Sequence, residues 1–144
     1  MANKTNPQTA VLLIAHGSRQ AEANADLFHI ADELRKRGPY AIVEPAFLEL
    51  AEPTIDRGGE KCVQLGAKRV LLLPYFLSAG VHARQDLAAI RDQLAKRFGD
   101  VDFFLGEPLG THPLLVDIVA ERARQIEERS ENASLRKPAN SVTD

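Results

Sequence analysis

The alternation of short apolar runs with amphipathic segments constrains this chain more than any other feature. VLLIA (11–15), AIVEPAFLEL (41–50), RVLLLPYF (69–76) and VDFFLGEPL (101–109) are rich in β-formers, and each precedes a segment with helical spacing. Apolar runs without polar alternation suit strands buried on both faces. Strands alternating with helices of this length imply right-handed crossovers within one sheet. The sequence therefore predicts an α/β fold: a four-stranded parallel sheet flanked by helices on both faces, with the β-α unit repeated four times.

Local signals place the boundaries. Ser18 can cap the segment AEANADLFHIADELRKR, in which Leu27, Ile30, Ala31 and Leu34 share a face, and Gly38-Pro39 stops it. Pro45 marks the second strand as an edge or bulged strand. A helix over 53–65 would open near Pro53 and turn Ile55, Cys62, Val63 and Leu65 inward, although Gly58-Gly59 weaken it. HARQDLAAIRDQLAKRF is amphipathic through Leu87, Ile90, Leu94 and Phe98. Thr111 and Pro113 open a last helix carrying Leu115, Ile118, Val119, Arg122 and Ile126. At 144 residues the chain suits one domain, expected over 10–129 after a loose lead-in (1–9) and before a polar, disordered tail (130–144).

Composition removes several classes of function. A net charge of −2 gives no footprint for nucleic acid. Trp is absent and aromatics are 6%, so a base-stacking platform is not expected. No apolar run approaches the ~20 residues that span a membrane, and MANKTNPQTA lacks the apolar core of a secretory signal. The single cysteine, Cys62, excludes an internal disulfide framework and a cysteine-built zinc site, and it fits a cytoplasmic protein.

Two of the strands end on histidines. AHGSR puts His16 directly after the first, and LSAGVH puts His82 a few residues after the third. In doubly wound sheets ligands bind outside the carboxyl ends of the strands, where strand order reverses. In the order 2-1-3-4, strands one and three meet at that switch, so both histidines would project into one crevice. Gly17 and Gly80 would let backbone approach a ligand, while Arg19 and Arg84 would sit at helix starts that favour anions. Imidazole can hold a metal or accept a proton. Either histidine alone reads equally well as a loop residue; the pair at one sheet edge favours a site. His29 reads as a helix-surface residue, and His112 as a helix-start residue at the functional edge. Glu49 and Glu52 could satisfy N–H groups at a helix start, or accept protons and hold the nitrogens of a ligand.

AHGSR, FLELAEPTI, PYFLSAGVH and PLGTHPLL together resemble the short-form sirohydrochlorin cobaltochelatases and ferrochelatases of the class II chelatase superfamily, from about Val11 to about Arg129. The resemblance implies a flavodoxin-like chelatase fold and insertion of Co(II), Fe(II) or Ni(II) into sirohydrochlorin without ATP, in cobalamin or siroheme biosynthesis. It implies no cofactor beyond that metal substrate. His16 and His82 match the family's metal-holding histidines, and His16 its proton acceptor. Leu77, Ser78, Ala79, Gly80, Val81 and His82 match the tetrapyrrole-contacting loop, and Glu52 matches the acid of the AEP motif. Long forms of the family contain two such domains; a single one implies a homodimer.

Three other readings compete. A metal or tetrapyrrole carrier would use the same crevice. A phosphohistidine enzyme would place arginine before His-Gly, where this chain has Ala15. A flavodoxin-like binding module would carry a Ser/Thr-rich phosphate loop after strand one, which is absent here.

Overall fold

The computed structural model describes residues 8–136. The chain divides into two compact units, one ending at Gly110 and one beginning at Thr111.

The first unit is the expected α/β sandwich. Its elements are β1 (Thr9–Ala15), α1 (Ala21–Arg37), β2 (Ile42–Phe47), α2 (Ile55–Gln64), β3 (Arg69–Pro74), α3 (Val81–Arg97) and β4 (Asp102–Leu105). All strands are parallel, in the order β2-β1-β3-β4. Pro45 lies on β2, an edge strand, where a missing N–H costs no ladder bond on the open side. β1 is central, and its alternate residues feed two cores. Ala10, Leu12 and Ile14 pack with Ile55 and Cys62 of α2 and Leu87 and Leu94 of α3. Val11 and Leu13 pack with Leu27 and Ala31 of α1. Burial on both faces explains why VLLIA carries no polar alternation.

The glycines of α2 are packing devices. A Cβ on Gly58 would lie 2.7 Å from Leu12 Cδ1 and 3.0 Å from Ala46 Cβ, and one on Gly59 would lie 3.0 Å from Leu94 Cδ1. Each costs the helix about 1 kcal/mol relative to alanine. In exchange α2 sits close against both the sheet and α3. The helix begins at Ile55, two residues later than Pro53, with Thr54 as N-cap accepting from Arg57 N–H at 3.3 Å.

Ser18 does not cap α1. The N-cap is Gln20, with no side-chain capping bond, and Ser18 Oγ instead accepts from Gln20 N–H at 3.0 Å. Asn24, one turn into the helix, accepts from Ser18 N–H at 2.9 Å and donates to Ser18 O at 2.7 Å. The serine closes a turn ahead of the helix, a competing use of the same hydroxyl.

The second unit contains α4 (Pro113–Arg136). Its helix runs through residues 130–136, which corrects the expectation of disorder there; 137–144 lie outside the described residues, as do 1–7 of the lead-in. Ser130, Glu131, Asn132, Ser134 and Arg136 keep this stretch polar without breaking it, because none is a glycine or proline. Among the described residues, no helix is long and apolar enough to cross a membrane.

Candidate functional site

Strand order reverses between β1 and β3, and His16 emerges at that point. The two loops leaving β1 and β2 continue the parallel pairing past the sheet: Leu48 N–H donates to Ala15 O and Glu49 N–H to His16 O, each at 2.9 Å. Gly17 makes this possible. Its φ is +97°, and a Cβ there would lie 1.7 Å from Glu49 O. No other residue fits such an approach.

The His16 ring stacks on Phe76, with centroids 4.2 Å apart and an interplanar angle of 27°. Phe76 is only 8% exposed and belongs to the main core, so it provides a fixed surface beneath the imidazole. It also ties His16 to the loop after β3. That loop is braced from the other side, where Leu109 N–H donates to Phe76 O at 2.9 Å and Gly110 N–H to Leu77 O at 2.8 Å.

An open crevice of about 440 Å³ lies beside His16, lined by Leu48 and Glu49 from the β2 loop and by Ala83, Asp86, Ala89, Ile90 and Gln93 of α3. His82 is the second residue of α3 and is exposed; it does not line this crevice, though the adjacent Ala83 does. Gly80 is the N-cap of α3, with φ −71°, and a Cβ added there would meet nothing within 4 Å. Unlike Gly17, it is not required by the chain's own packing. Leu77 and Val81 stand 64% and 67% exposed around it.

The two acids part company. Glu49 joins His16, whereas Glu52 lines a second crevice of about 410 Å³ together with Ser18, Arg19, Asn24, Phe28 and Leu50. Glu52 Oε2 accepts from Thr54 N–H at 3.2 Å, the helix-start role open to it from sequence. Leu50, between the two acids, has φ +64°. Arg19 is exposed and makes no ion pair with another described residue. Arg84 is committed: its Nε donates to Ala79 O at 3.1 Å and its Nη1 pairs with Glu107 Oε2 at 3.2 Å, pinning the Ser78–Gly80 loop. In the second unit His112 Nδ1 accepts from Leu114 N–H at 3.1 Å, a helix-start contact.

Sequence reasoning missed Asp86 and Gln93. The available signal was the spacing 82, 86, 89, 93 in HARQDLAAIRDQ, a polar-edged stripe beside the buried Leu87–Leu94 face. Among the described residues no three His, Cys, Asp or Glu side chains converge tightly enough to cage a metal. Cys62 plays no part, since burial pushes its thiol up to about 12, with Glu44 adding to the effect.

A doubly wound α/β unit with an imidazole and a carboxylate at its switch point defines the class. The chain belongs to the CbiX family, whose model matches residues 10–126. It is 40% identical over 112 residues to the chloroplastic sirohydrochlorin ferrochelatase of Arabidopsis thaliana, covering 78% of this chain and 50% of that protein. To the sirohydrochlorin cobaltochelatase of Sulfolobus acidocaldarius it is 33% identical, covering 80% of this chain and 89% of that one. Among solved structures it resembles the chelatase SirB from Bacillus subtilis subspecies spizizenii in complex with cobalt, with TM-score 0.77, 30% identity, and coverage of 83% and 51%. The chain spans half or less of the Arabidopsis protein and of two Priestia megaterium relatives, 50%, 38% and 44% of their lengths.

Proposed function

We propose that this chain is a sirohydrochlorin chelatase, inserting a divalent ion into the macrocycle with release of both pyrrole N–H protons. The observation that carries this reading is His16, stacked on Phe76 and sharing its crevice with Glu49 at the switch point of the sheet. A neutral imidazole can hold an ion loosely and take up one proton; the carboxylate can take the other or steer the cation inward. His82, at the start of α3, supplies a second metal-side imidazole. A loosely held ion is what the chemistry needs, because a caged one could not be handed on. Co(II) is the favoured ion, with Fe(II) and Ni(II) next, and the pathway served is that of cobalamin or siroheme.

The macrocycle would lie over the loop from Leu77 to His82, where Leu77 and Val81 offer apolar contact. Its peripheral carboxylates would meet Arg19, which is in no ion pair with another described residue, while Glu52 borders the same crevice. Residues 10–129 would act as one chelatase domain, supported by the family match over 10–126. Longer relatives, of which this chain covers 50%, 38% and 44%, together with the open crevice, favour a homodimer. The lone buried Cys62 fits a cytoplasmic setting.

Anaerobic absorbance of sirohydrochlorin with Co(II), Fe(II) or Ni(II) tests the reading. Many spectral conversions per chain, faster than without protein, are expected, and His16→Ala should abolish them. A change that stops at one equivalent would make the chain a carrier instead.

A further inference from the structure

We propose, resting on the chelatase reading, that Asp86 is a positioning residue: when His82 turns one ring nitrogen to the metal, the Asp86 carboxylate accepts a hydrogen bond from the other, a contact not made in this structure. Three observations lead there. On α3, residues four apart lie one above the other, so His82 and Asp86 occupy successive turns of one stripe. The same stripe continues through Ala89 and Gln93, and from Asp86 onward it lines the crevice holding His16 and Glu49. Asp86 thus shares a crevice with His16 and a helix stripe with His82.

Asp86 is also uncommitted. Its carboxylate makes no hydrogen bond or ion pair with any described residue. The α3 arginines nearest it are occupied elsewhere, Arg84 by Ala79 O and Glu107, and Arg91 by Asp92. Its neighbours three and four residues away are His82, Ala83, Ala89 and Ile90, of which only His82 can donate. Gln93 is seven residues on, about 10 Å along the helix axis. A histidine that ligates a metal through one nitrogen needs the other N–H held by an acceptor, which fixes tautomer and ring orientation. Asp86 is the acceptor that this helix places within reach.

The test is equilibrium binding of Co(II) alone to the full chain, alongside steady-state insertion into sirohydrochlorin. Asp86→Asn should weaken Co(II) binding 10- to 100-fold and lower kcat, with KM for sirohydrochlorin within about twofold of the parent. Asp86→Glu should restore most of the loss. In a His82→Ala background, Asp86→Asn should have no further effect, a dependence that a merely structural role would not show. Asp86→Asn binding Co(II) as the parent does, or losses that simply multiply in the double variant, would overturn the proposal while leaving the chelatase reading intact, provided His82→Ala alone weakens binding. Parent-like Co(II) affinity in both His16→Ala and His82→Ala would sink the metal assignment itself, and this proposal with it.

Discussion

The backbone of Gly17 approaches the carbonyl of Glu49 so closely that a side chain on one would occupy the oxygen of the other, at 1.7 Å. His16 and Glu49 are therefore registered to each other through main chain, not through their side chains. Gly17→Ala should cost more than about 2 kcal/mol, since both the positive φ and the backbone contact oppose it. Gly80→Ala, facing open space, should cost less than about 1 kcal/mol. Urea denaturation of the two variants checks the contrast; equal losses would contradict it.

Phe76 supports the His16 ring from within the core. Phe76→Leu keeps most of the volume and should reduce stability by no more than about 1.5 kcal/mol. Without a flat surface beneath it, the imidazole loses its orientation, and metal insertion should fall about ten- to hundredfold. Turnover measured beside the melting curve separates the two effects.

Glu49 and Glu52 are close in sequence and face different crevices. Glu49→Gln should lower insertion at least tenfold, because it removes a charged acceptor beside His16. Glu52→Gln should stay within about threefold in rate and cost α2 about 0.5 kcal/mol, by weakening the charge at the helix start. The reverse ranking in a cobalt-insertion assay would move the proton acceptor to the other side of the loops.

Burial holds the Cys62 thiol protonated up to about 12, against an ordinary 9.0. Above pH 9 the unfolded chain releases a proton that the folded chain keeps. Stability from this source is therefore full below about 9 and is lost as pH rises toward 12. Between pH 8 and pH 10 the parent should lose about 1 kcal/mol more than Cys62→Ala, read from urea midpoints. In the folded state at pH 8 the thiol should resist a disulfide reagent that labels it at once in urea.

Most of the frame can be read from residue patterns, because each β1 residue answers to one of two cores and the apolar run reports it directly. Pro45 announced an edge, and β2 is one. Features that depend on three-dimensional proximity were hidden. Gly58 and Gly59 look like helix breakers until Leu12 and Leu94 are seen against them. Ser18 has the chemistry of a cap, yet Asn24 competes for its backbone. The choice between Glu49 and Glu52 turns on Leu50, whose left-handed backbone redirects the chain between them. Asp86 was invisible because a lone acid on a charged helix resembles any solvated residue.

The paired loops after β1 and β2 have neighbours on both sides: His16, Leu48 and Glu49 border one crevice, and Ser18, Arg19, Leu50 and Glu52 border the other. A few consecutive residues thus serve as a shared wall between two rooms. Remodelling one room by mutation moves the wall of the other, so on the proposed chelatase reading changes of metal preference and of macrocycle fit are expected to be inherited together, and a variant selected for one should be screened for the other.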